Sequence, residues 1–166
     1  MKIDLFSTTL FEHLTDDFGI YDDSNLPSEP AKVVPFDDGI AKVQNSYQYS
    51  IYFIPLDKNI VFQRPDGSQE SQCDALLICL RATQYDFYFT ELKELRVNWI
   101  SDGTEQLKTT INSFKSSYDL SYLSKKMAFL ANRRHPCYHY SHKELMEKFR
   151  NDTGFRLNIC ATIQVK

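Results

Sequence analysis

The chain predicts an α/β domain, a mixed central sheet with helices on both faces, spanning residues 1–166 as a single unit. Three observations carry this. Short apolar runs with a two-residue period alternate along the chain with stripes at helical spacing, the pattern of strands interleaved with helices. Aromatic side chains are 14% of the residues, which suits packing on pleated surfaces. With 166 residues, 42% of them hydrophobic, the chain can bury a core without a metal or disulfide staple.

Taken in order, Ile3, Phe6, Leu10 and Leu14 recur at helical spacing with Gly19 behind them, predicting a first helix over residues 5–18. Residues 22–39 hold three prolines and scattered acids without a period, and read as a loop. Tyr47, Tyr49, Ile51 and Phe53 alternate with polar residues, a strand within 47–62 that is interrupted at Asp57-Lys58-Asn59. Pro65-Asp66-Gly67 marks a turn, and Cys73 to Leu80 is an apolar run of the length of a strand buried on both faces. Gln84 to Leu92 gives the next strand.

Asp102 followed three residues later by Glu105 is a capping-box pattern, and Leu107, Ile111 and Phe114 continue it as a stripe, so a helix is expected over 103–116. Lys126 to Asn132 reads as a buried strand. Ser141 and Glu144 open a second such helix, with Leu145, Met146 and Phe149 inward and Gly154 as its stop. From Phe155 to Val165 every odd position is apolar, which predicts one final strand. The order is an α-β-β-β-α-β core with a C-terminal α-β addition.

The net charge of −3 is uneven: residues 1–83 carry 6 Lys and Arg against 13 Asp and Glu, and residues 84–166 carry 13 against 9. An acidic total leaves a nucleic-acid ligand open, because local patches make the electrostatic footprint. No apolar run reaches the length of a membrane span and no secretory pattern opens the chain, so a cytoplasmic protein without a membrane partner is expected. Cys73, Cys79, Cys137 and Cys160 lie far apart with no C-x-x-C, as reduced thiols do.

The chemistry is concentrated in two adjacent strands. Asp74 opens one buried run, and Glu91 and Lys93 close the next. Residues two apart in a strand point to the same face, so Glu91 and Lys93 project together. If the strands are neighbours, Asp74 joins them, and two carboxylates suit Mg²⁺ (or Mn²⁺), which bind through one or two carboxylates and keep several waters. Lys93 would orient a water or offset developing charge in phosphodiester hydrolysis. The competing reading makes Glu91 and Lys93 solvent-edge charges and Asp74 a turn residue.

Cys73-Asp74, sixteen intervening residues and Glu91-Leu92-Lys93, followed by a helix carrying Gln106, resemble the PD-(D/E)XK nuclease superfamily over residues 3–132. Cys73 stands where that pattern has proline. The resemblance implies a restriction-endonuclease-like fold with Asp74, Glu91 and the Leu92 carbonyl as metal ligands, Lys93 as the catalytic cation and Gln106 beside them. Some members add an acid from the first helix, for which Glu12 is available.

Further along, Arg133 and Arg134, with Lys125, Lys126, Lys143, Lys148 and Arg150, form the most basic region. Arg133, Arg134 and Lys108 are candidate phosphate contacts, and Tyr138 or Tyr140 could stack on a base; a solvated loop and helix face is the plainer alternative. A zinc site from Cys137, His139 and His142 lacks a second ligand pair. Two functions are carried forward. One is a Mg²⁺-dependent nuclease, first of all on DNA. The other is a catalytically inactive nuclease-like protein that binds a protein partner or its own copy in a defence or mobile-element system.

Overall fold

The structure, a computed structural model, describes residues 11–136 and 142–166. The elements are β1 (Glu12–Leu14), β2 (Phe18–Tyr21), β3 (Lys32–Val34), a 3-10 turn (Phe36–Asp38), β4 (Ala41–Gln44), β5 (Ser50–Pro55) and β6 (Ala75–Arg81). They continue with β7 (Gln84–Lys93), α1 (Trp99–Ser117), β8 (Lys125–Asn132), α2 (Lys143–Thr153), β9 (Arg156–Ile159) and β10 (Thr162–Gln164).

The larger sheet has six strands in the order β1-β5-β6-β7-β8-β9, and the smaller has four in the order β10-β4-β2-β3. In the larger sheet β1, β5, β6 and β7 pair antiparallel, and β8 and β9 then add in parallel, each after a helix that carries the chain back across the sheet. Both sheets are mixed, as the α/β class requires.

Alternation in β6 and β7 decides what covers each face. Leu76, Ile78, Phe87 and Phe89 point to one side and pack with Leu107, Ile111 and Phe114 of α1 and Phe149 of α2. Ala75, Leu77, Cys79 and Tyr88 point to the other side, where Phe18, Ile20, Val43 and Ile163 of the smaller sheet meet them. The helix-side core is aromatic: Phe89 meets the edges of Phe114 and Phe155 at centroid distances of 5.0 and 5.4 Å. Each such ring, fully buried, contributes roughly 1.5–3 kcal/mol. Among the described residues, then, the helices lie on one face only, and the second face expected to carry a helix is covered by a sheet.

Three expectations change in detail. The part of the first predicted helix that is described, residues 11–18, is extended: β1 closes the sheet edge against β5, and Phe18 and Ile20 are both buried in β2. Gly19 does not stop a helix. It lies mid-strand, where a Cβ would come within 2.7 Å of the Pro35 carbonyl oxygen. Residues 1–10, with Ile3, Phe6 and Leu10, lie outside the described residues.

The single last strand is divided at Cys160 and Ala161, where the chain leaves the larger sheet for the smaller. The odd-position pattern survives because Phe155 and Leu157 join the helix-side core, whereas Ala161, Ile163 and Val165 join the core between the sheets. Helix α1 starts a turn earlier than the capping pattern suggests, because Trp99, 3% exposed, is buried as its first residue. Gly103 lets the helix sit on β8: a Cβ there would meet a Leu130 methyl at 2.4 Å. The described thiols of Cys73, Cys79 and Cys160 are free, and no described helix is long and apolar enough to cross a membrane.

Candidate active site

The β6–β7 ladder pairs Ala75 with Thr90, and one further step along the same register sets Asp74 opposite Glu91. Cross-strand neighbours of this kind have Cβ atoms roughly 5 Å apart. Asp74, Glu91 and Lys93 share the face that α1 covers. Sequence spacing and strand pairing together therefore bring the three ionisable side chains to one buried end of the sheet.

The contacts are specific. The Leu92 backbone N–H donates to Asp74 Oδ2 at 2.7 Å, which places the Leu92 backbone against the first carboxylate. Lys93 Nζ lies 2.8 Å from Glu91 Oε1 and donates to Gln106 Oε1 at 2.5 Å. Gln106 in turn reaches the Gln72 carbonyl at 3.5 Å. Thr110, one turn further along α1, donates to the Gln106 carbonyl and accepts from the Cys73 N–H, tying the helix to the start of β6. Glu91 is 1% exposed, and its Oε2 is buried with no hydrogen-bond partner.

Burial dominates the electrostatics. It pushes the Asp74 carboxyl up to about 7 against the stabilising Leu92 N–H, and the charges of Asp22 and Asp57 add to the rise. Burial also holds the Glu91 carboxyl well above the usual carboxylate range; the Asp74 charge reinforces this and Lys93 opposes it. The neighbouring Cys73 thiol is pushed up by burial and by both carboxylates, so it is an inert neutral group.

Asp22 and Asp57 are not among the site residues expected from the sequence. Asp22 follows β2, Asp57 follows β5, and Lys58 Nζ lies 3.5 Å from the one and 3.6 Å from the other. Lys58 is held in the left-handed backbone region at φ 63°. Four carboxylates thus act on one region against two ammonium groups, a balance that favours a cation. No local pattern marks Asp22 or Asp57, because the smaller sheet and a turn bring them there. Glu12, the acid available on the expected first helix, is instead exposed on β1.

No family model, no curated protein and no solved structure matches this chain. The residues must speak for themselves.

The donor set fits Mg²⁺ or Mn²⁺. Two facing carboxylates are what such an ion takes from a protein, and a buried carboxylate oxygen without a partner is a costly feature that a cation would relieve. Among the described residues no group of three His, Cys, Asp or Glu side chains forms a metal cage, which a two-carboxylate site does not require. Of the proposed zinc ligands, Cys137 and His139 lie outside the described residues, as do Tyr138 and Tyr140.

The outer cations are placed differently from one another. Arg133 follows β8 at the same end of the sheet, 3.5 Å from Glu94, bonded to the Asp38 carbonyl at 3.0 Å and over the Tyr21 ring at 5.3 Å. Arg134 is exposed beside it. Lys108 is not brought to the carboxylates: it pairs with Asp152 of α2 at 2.8 Å, and Lys115 on the same side bonds the Thr153 carbonyl.

Proposed function

We propose that the protein is a metal-dependent phosphodiester hydrolase of the PD-(D/E)XK type acting on nucleic acid, with DNA as its first substrate. The observation that carries this reading is the unpartnered, buried Glu91 Oε2 opposite Asp74, with Lys93 held beside it by Gln106.

In this reading Asp74, Glu91 and the Leu92 carbonyl would hold a divalent ion, whose chemistry when bound would be Lewis-acid polarisation of the phosphoryl group. Gln106 fixes the Lys93 side chain, so that the ammonium stabilises charge developing on the phosphoryl oxygens without first having to reorganise. Both carboxyl groups would have to be ionised to hold the ion, since a metal ligand must be deprotonated. The apolar walls beneath them, Ile54, Leu76 and Phe89, keep bulk water from the rear of the site. Arg133 and Arg134 at the rim face the phosphate backbone of the substrate.

The test is incubation of supercoiled plasmid and of single-stranded DNA with Mg²⁺ or Mn²⁺, using the parent protein and Lys93→Met. Metal-dependent cleavage that is lost in the variant is the expected result. A parent protein that binds the ion and cleaves neither substrate, nor RNA, would favour the second reading, an inactive nuclease-like binding protein, which the net charge of −3 also suits.

A further inference from the structure

The N-termini of α1 and α2 open on one cleft of about 570 Å³, which lies apart from the carboxylate pair. Arg96, Asn98, Ser101 and Thr104 line it from the α1 side, and His142 and Leu145 from the α2 side. The first N–H groups of a helix have no partner within the helix and carry its positive dipole end, so they favour an anion. The start of α1 is not capped by the side chain of its N-cap residue, Asn98.

A second observation points the same way. Thr104 is 5% exposed, and its hydroxyl has no hydrogen-bond partner. Elsewhere in α1 the hydroxyls of Thr110, Ser113 and Ser116 each donate to the carbonyl four residues earlier. Among the buried hydroxyls of the described helices, Thr104, Thr110 and Thr153, it is Thr104, in the lining of the cleft, that leaves this bond unmade. A buried hydroxyl without a partner costs stability unless a ligand supplies one.

The remaining wall is apolar, formed by Val97, Ile100 and Leu145. Arg96 supplies positive charge. Glu105, also in the lining, and Asp102 and Glu144 in the two first turns oppose it. We infer that this cleft binds a phosphate monoester, the phosphate lying at the two helix starts with Thr104 and Arg96, and the organic body resting against Val97, Ile100 and Leu145. The inference stands whether or not the carboxylate site is a nuclease.

The experiment is calorimetric titration of the full-length protein in EDTA with inorganic phosphate, adenosine 5′-monophosphate, and matched oligonucleotides bearing a 5′-phosphate or a 5′-hydroxyl. The expected result is binding of the monophosphate, weakened about ten- to hundredfold in Thr104→Val, tightened in Glu105→Gln and unchanged in Glu91→Gln. A preference for the 5′-phosphorylated oligonucleotide would identify a nucleic-acid end as the source, and binding of the mononucleotide alone would identify a free nucleotide. Failure of every phosphate probe to bind would overturn the inference. So would equal binding by the parent and a folded Thr104→Val.

Discussion

Strand β7 carries two buried carboxylates, Asp86 near its start and Glu91 near its end, and their surroundings differ. Asp86, 0% exposed, has both oxygens engaged: Arg81 Nε donates to Oδ2 at 2.6 Å, and Arg81 Nη2 and the Lys125 N–H donate to Oδ1 at 3.1 and 3.0 Å. Glu91 is just as buried, yet one of its oxygens has no partner, and a second carboxylate stands opposite it. A fully bonded buried ion pair holds a hairpin in register. An underserved one costs stability, and in the proposed reading that cost keeps the position open to a cation.

The largest effect should come from the underserved side. Glu91→Gln is expected to lower metal-dependent cleavage by about 10²- to 10³-fold or more, measured as initial rates on plasmid, while the protein stays folded by circular dichroism. Next is the satisfied side: Asp86→Ala should cost about 3 kcal/mol in a urea melt, because Arg81 loses its bidentate partner, and should leave cleavage per folded molecule unchanged.

The third prediction concerns pH. Asp74 binds its proton up to about 7 when folded but only to its ordinary 3.8 when unfolded, so between these values the folded state holds more protons. Stability of the metal-free protein should therefore fall as pH rises from about 4 through 7. Asp74→Asn should flatten this fall and be more stable than the parent at pH 8, by up to a few kcal/mol, while losing metal binding; thermal melts in EDTA across pH check it.

Arg134→Ala, a change at an exposed side chain, should reduce the salt slope of DNA binding by about one without changing stability. Smallest is Lys108→Ala. Breaking its solvent-screened surface pair with Asp152 should leave both the melting midpoint and cleavage close to those of the parent.

How much of this was legible before folding follows the range of the interactions. Asp74, Glu91 and Lys93 were readable because a strand period fixes their face and the two strands are consecutive; Gln106 followed from the helix after them. The strand run from Phe155 could be read as apolar alternation, but alternation does not say which sheet a strand joins, so the crossing at Cys160 and Ala161 was invisible. The helical expectation was overridden at Leu14, which pairs with Ile51 of β5, a contact some forty residues away. The same long-range assembly brings Asp22 to the site and ties Lys108 to α2. Neither is encoded in local spacing.

The most direct test of the central claim, that the Asp74–Glu91 pair is a cation site, is titration of Mg²⁺ or Mn²⁺ into metal-free protein near pH 6.5 in two buffers of different ionisation heat. The account predicts one binding event that releases protons, because carboxyl groups held above their ordinary values must ionise, and its loss in Glu91→Gln. No binding, or binding of the same strength and proton release in the variant, would contradict it.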